Sequence, residues 1–241
     1  MNTDLHLSRQ RLSAVFWLAV ASCLCIGILA ARMVYMHDTS YRFMLWNLFL
    51  AWIPLVCALA AERMRSTAAA LVCGVAWLVF LPNAPYMLTD LQDLARGAGR
   101  EAPLWYDVII VVWCSWTGTL LGVISLYLMQ DIIIRTFNRW LGWVFVFVIS
   151  GLSSFGIYIG RFVRLNSWDI LQNPTETAVE ILGIVIDPSR RLAAFTLLYT
   201  VFFLFIFLLL YSFSHMLQEQ AARANSSPER LASTQPTQAQ G

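Results

Sequence analysis

Leu81-Pro82-Asn83-Ala84-Pro85-Tyr86-Met87-Leu88-Thr89-Asp90-Leu91-Gln92-Asp93 interrupts an apolar run with two prolines and then sets two carboxylates three residues apart. Proline lacks a backbone N–H and restricts the residue before it, so a helix arriving from Thr67 should stop near Pro82. A second helix can restart at Pro85, because proline is tolerated at the first helical position. On that helix Tyr86, Asp90 and Asp93 share one face, and Leu88, Leu91 and Ala95 line another.

The surroundings of this stretch decide the fold class. The 241 residues are 59% hydrophobic and only 12% charged, with a mean hydropathy of +0.65. Soluble domains carry roughly 25% charged residues. The charges fall between long apolar runs, which reads as an all-α, polytopic membrane bundle. All sixteen basic residues are Arg and none forms a dense patch, so no nucleic-acid partner is expected. His6, His37 and His215 stand apart without metal-ligand spacing. The five cysteines lie inside apolar runs and read as small hydrophobes, not a disulfide frame or zinc site.

About six spans are expected: Leu12–Ala31, Phe43–Ala61 with Pro54 as a kink, Thr67–Leu81, Tyr106–Met129, Trp140–Gly160 and Leu192–Ser214. Val20-Ala21-Ser22-Cys23 resembles a lipoprotein cleavage box, but the apolar run continues past it, so an uncleaved first span is expected. The third span is short; it either gains length from the restarted helix, or the helix after Pro85 is a short re-entrant or edge element. Spans four and five carry small-residue faces, Gly118/Gly122 and Gly156/Gly160, and are expected to pack directly on each other. Asn173-Pro174-Thr175-Glu176 has the form of a helix start, opening an amphipathic, interfacial helix near 174–187. The membrane domain is expected over 1–216, with 217–241 a disordered tail. Arginine counts on the two sides are equal, so the positive-inside rule does not orient the chain; the basic flank before span one and the loop lengths favour a cytoplasmic N-terminus.

Trp77-Leu-Val-Phe-Leu-Pro-Asn-Ala-Pro-Tyr-Met-Leu-Thr-Asp90-Leu resembles the hallmark of a bacterial membrane family known as domain of unknown function 1361. Gly160-Arg161-Phe-Val-Arg164-Leu-Asn166-Ser-Trp168-Asp169 resembles its second signature. The similarity runs from about span two to span six. It implies a multi-pass bacterial protein, placed in the inner membrane, and brings no assigned activity.

Under the six-span topology both signatures emerge on one face of the membrane. The candidate ligand site is therefore Asn83, Tyr86, Asp90, Asp93, Arg161, Arg164, Asn166, Trp168 and Asp169. A charge facing lipid costs roughly 2.5–3.5 kcal/mol on insertion scales, so these groups should pair or face water. One reading is an Asp–Arg network that pins two loops together. The other is a polar cup at the extracytoplasmic edge, where arginines clamp a phosphate or carboxylate and Tyr86 and Trp168 meet a lipid or sugar. In it, Asp90, Asp93 and Asp169 would hold Mg2+ or Ca2+, or act as a base. Membrane lipids are the expected partners of the cup. A non-catalytic accessory or scaffold subunit is the alternative, and it would bind a membrane protein or a second copy. No His lies within spans two to five, which argues against intramembrane proteases. With acids expected only at span ends, coupled transport is disfavoured. No nucleotide fingerprint occurs, and cofactor and reaction stay open.

Overall fold

The computed structural model describes residues 2–64, 66–95, 103–164 and 172–233, which are helical apart from short connections. In chain order the elements are α1 (Asn2–Met36), α2 (Arg42–Arg63), α3 (Thr67–Phe80), α4 (Asn83–Tyr86), a 3-10 turn (Met87–Asp90), α5 (Leu91–Ala95), α6 (Leu104–Thr136), α7 (Arg139–Tyr158), a π turn (Ile159–Val163), α8 (Pro174–Ile186) and α9 (Arg190–Ser233). Six segments among the described residues are long and apolar enough to cross a membrane: Arg11–Met36, Arg42–Arg63, Thr67–Leu94, Leu104–Thr136, Arg139–Val163 and Arg190–Gln220. The protein is thus a multi-pass membrane protein built as an all-α bundle.

Helix α6 is the axis. Its buried residues, Ile110, Val111, Leu121 and Leu126 among them, face α2 on one side and α7 on the other. Helix α9 lies on α7 and buries Phe203 and Phe207. Large apolar side chains on the outside, such as Phe49, Leu71, Phe147 and Leu197, are exposed, as a lipid-facing surface requires. Pro54 lies within α2 without ending it. The charged side chains gather at the two ends of the bundle. At one end stand Arg11, Glu62, Asp131 and Arg135 (the Asp131 end), and at the other Arg32, Asp38 and Asp107 (the Asp107 end).

The third span is a broken helix. Helix α3 runs from the Asp131 end to Phe80 and stops inside the bundle. Pro82 and Pro85 lack the N–H groups that would bond the Leu78 and Leu81 carbonyls. Leu81 N still bonds Trp77 O at 2.8 Å, and Ala84 N then reaches only three residues back, to Leu81 O, at 3.1 Å. From there α4, the 3-10 turn and α5 finish the crossing, so the restarted helix lengthens the short third span. It begins at Asn83, two residues before the expected Pro85.

The glycine faces take this break. A Cβ on Gly118 would lie 2.7 Å from Met87 Sδ and 2.8 Å from the Ala84 carbonyl oxygen. One on Gly122 would lie 3.0 Å from Ala84 Cβ, and one on Gly156 2.7 Å from Pro82 Cγ. Helices α6 and α7 do form a hairpin, but these three glycines meet the 82–87 turn instead of the opposite helix. The expectation that the two small faces pack on each other is corrected on this point. A turn carrying two proline rings needs more room than a helix face, and the glycines supply it.

Helix α8 begins at Pro174 as expected, but the side chain of Asn173 makes no capping bond. Val179, Leu182, Val185 and Ile186 on it are exposed. Helix α9 runs on to Ser233, beyond Gln218, where a polar tail was expected to begin.

Candidate functional site

In a bilayer the polar backbone of a helix break must find donors within the protein. Here α6 and α9 supply them. Ser115 Oγ donates to Met87 O at 2.6 Å, and the Tyr199 hydroxyl donates to Pro85 O at 2.5 Å. Within the turn, Asn83 Nδ2 donates to Phe80 O at 3.1 Å and Thr89 Oγ1 to Tyr86 O at 2.7 Å. Below it, Trp77 Nε1 donates to Ser125 Oγ at 3.2 Å while its ring stacks on Phe145. Ser115 lies eight residues past Asp107 on α6, which at 1.5 Å per residue is about 12 Å into the bundle. The break itself, against Gly118 and Gly122, sits about 16–22 Å from the Asp107 level by the same measure. That is about halfway along α6 between Asp107 and Asp131, which are about 36 Å apart.

This clamp sets the height of Asp90, one short turn above Met87. Its side chain is 1% exposed. Arg161 Nη1 reaches Asp90 Oδ1 at 3.1 Å and Arg161 Nη2 reaches Asp93 Oδ1 at 3.0 Å. Asn47 Nδ2 of α2 donates to Asp90 Oδ2 at 3.3 Å. The Tyr86 ring lies 5.9 Å from the guanidinium carbon. Tyr86, Asp90 and Asp93 therefore share a face, as their spacing predicts, and that face receives Arg161. Asp90 lies in the last turns of the third span, four residues before Leu94, so this carboxylate is near a span end as expected and is nevertheless buried.

Arg161 reaches inward because α7 ends in a wider turn. Arg164 N bonds Ile159 O at 2.9 Å, a five-residue step, and such π turns re-aim the side chains they carry. Arg164 then closes the element in the left-handed region, with φ of 70°, and its side chain is exposed. It does not join the ion pairs of Arg161. Of the expected site residues, Tyr86, Asp90, Asp93 and Arg161 come together, Asn83 serves the break, and Asn166, Trp168 and Asp169 lie outside the described residues. Among the described residues no three His, Cys, Asp or Glu side chains group closely enough to hold a metal ion.

A second cluster, not anticipated from the sequence, repeats the arrangement at the Asp107 end. Arg32, whose side chain is fully buried, forks onto Asp107 at 2.7 and 3.3 Å. It also reaches Asp38 at 2.9 Å and lies 4.5 Å over the Tyr41 ring. The Ser40 hydroxyl, with Arg32 beside it, holds the Asp38 carboxyl below the usual carboxylate range. Burial pushes the Tyr41 phenol up. The usable signal was an Arg near a span end, which must either extend to the interface or pair within the bundle.

The family model for proteins of unknown function called DUF1361 matches residues 46–210, which takes in the broken third span, Asn47, Asp107, Arg161 and Tyr199. The chain belongs to that family. The match begins after α1, so Arg32 and Asp38 lie outside the DUF1361 region while their partner Asp107 lies inside it. No curated protein and no solved structure matches the chain.

Proposed function

We propose that this DUF1361 protein sits in a bacterial inner membrane with its N-terminus in the cytoplasm. In this reading it holds a small phosphate- or carboxylate-bearing ligand, foremost a lipid headgroup, at the extracytoplasmic Asp107 end. The observation that carries the reading is Arg161. Two carboxylates fix its guanidinium inside the bundle, and its side chain is still 10% exposed. The remaining N–H donors of a guanidinium held this way are pre-organised for an anion's oxygen atoms, because little side-chain freedom remains to be lost on binding. Around it Arg164, Arg190 and Arg191 are exposed, and Arg191 is held 4.2 Å over the Phe162 ring. These rim arginines offset the acidic charge that Asp90 and Asp93 present to an anion.

The test is native mass spectrometry of the protein extracted with its lipids. The unaltered chain should carry one more phosphate-bearing lipid than the double variant Arg164→Ala/Arg191→Ala, at unchanged thermal stability. Identical lipid in both proteins refutes the reading. A second reading, an accessory or scaffold subunit, is favoured by the use of both Arg161 amino groups in ion pairs. It expects a bound partner protein or second copy in the same spectra, with no dependence on Arg164 or Arg191.

A further inference from the structure

A groove opens at the opposite end of the molecule, between α1 and α9 over a floor made by α6. Two cavities form it. The outer one, about 200 Å3, is lined by Arg11 and Val15 of α1, Leu128 of α6, and Ser214 and Gln218 of α9. The inner one, about 190 Å3, is lined by Leu120 and Val123 of α6 and by Phe207 and Leu210 of α9. Ile124, Tyr127 and Ser214 line both, so the two adjoin. From Leu120 to Leu128 the floor spans about 12 Å along α6, most of the depth of one leaflet in a hydrocarbon core of about 30 Å.

The groove changes character along its length. Its inner half is bounded by apolar and aromatic side chains, and Tyr127 and Tyr211 stand 6.1 Å apart near its centre. At its mouth the guanidinium of Arg11 bonds Glu62 and reaches Asp131 at 2.9 Å, and Arg135 joins the same two acids. Two cations and two carboxylates balance, so Arg11 is positioned there without a net negative field against an arriving anion. The Arg11 side chain is 29% exposed. Beside it Gln218 Nε2 lies 3.4 Å from Ser214 Oγ, and Arg63 and Arg139 are exposed at the same end. A polar, cation-bearing mouth above an apolar trench that spans most of one leaflet's depth matches a phosphate-bearing lipid.

We propose that this groove is a built site for a single phosphate-bearing glycerolipid of the surrounding bilayer. An acyl chain lies along Val123, Phe207 and Leu210, and the phosphate meets Arg11 and Gln218. It faces the leaflet opposite to Arg161 and does not rest on the ligand proposed there. Native mass spectrometry in mild detergent should find one lipid that stays bound after the outer lipids have been stripped. Ser214→Trp, which plugs the junction of the two cavities, and Leu210→Trp, which fills the inner one, should each lower its occupancy at least tenfold. Leu71→Trp, on the exposed face of α3, and Arg164→Ala/Arg191→Ala should leave it in place. On the unaltered chain, a photoactivatable phosphatidylglycerol should label peptides containing residues 120–128 or 207–218 above all others. Lipid lost all at once from the unaltered chain, retained lipid in both filled variants, or labelling spread evenly around the bundle overturns the proposal.

Discussion

Replacing Gly118 by Ala adds one methyl group at the point where the broken span presses on α6. That methyl carbon would meet the Ala84 carbonyl oxygen at 2.8 Å and Met87 Sδ at 2.7 Å. The methionine side chain can swing away, but the carbonyl is backbone, held between prolines and bonded through its neighbours to Ser115 and Tyr199. Relief therefore requires the whole 82–87 turn to move outward. Overpacking of this kind costs about 1–3 kcal/mol, and a backbone obstacle places Gly118→Ala in the upper part, about 2–3 kcal/mol. For a chain of this length that is a fall in Tm of roughly 4–12 °C. Gly156→Ala, against the rigid Pro82 ring at 2.7 Å, should follow, and Gly122→Ala, at 3.0 Å from a methyl group, should cost less. Gly151 meets nothing within 4 Å and serves as the control. Thermal unfolding in mild detergent, followed by a thiol-reactive dye, suits the protein because Cys25 and Cys114 are buried and free. If Gly118→Ala melts with Gly151→Ala, the glycine face is not what seats the turn.

Arg161→Ala leaves Asp90 buried without its cation and should destabilise by about 3–5 kcal/mol, whereas Asp90→Asn/Arg161→Gln should recover most of that; accumulation and Tm of the two variants check it. Tyr199→Phe removes one hydrogen bond to the Pro85 carbonyl and should cost about 1–2 kcal/mol, measured by the same melt. Asp38 titrates below its ordinary value in the folded protein. Its contribution is therefore full above about pH 3.9 and fades as pH falls through the lower folded value. Asp38→Asn should remove that acid-range difference and leave the slope of stability near neutral pH unchanged. Arg32→Lys should be distinctly less stable than the parent, because an ammonium cannot fork onto Asp107 while reaching Asp38 and covering Tyr41.

Much of this was legible from residue order. Apolar runs of about 20 residues bounded by Arg and Asp place the spans, since lipid admits little else. Pro82 and Pro85 stop a helix wherever they occur, because the missing N–H is a local fact. Spacing put Tyr86, Asp90 and Asp93 on one face, and the even span count brought Arg161 to the same end. The glycines were visible as close-contact positions, but their partner was read as the other glycine-bearing helix.

What residue order could not supply is depth and pairing. Asn47, Ser115 and Tyr199 are single polar residues in apolar stretches, and nothing local says that they serve carbonyls and a carboxylate far along the chain. The same holds for Arg32, which stands 75 residues from the Asp107 that it grips. Composition and proline position determined an all-α membrane bundle with one interrupted span. Only the tertiary structure decided that the interruption lies mid-bundle and that Asp90 is buried above it. The reason is that orphaned carbonyls and buried charges are satisfied by whichever neighbours packing brings within hydrogen-bond reach, and such neighbours are set by the fold as a whole.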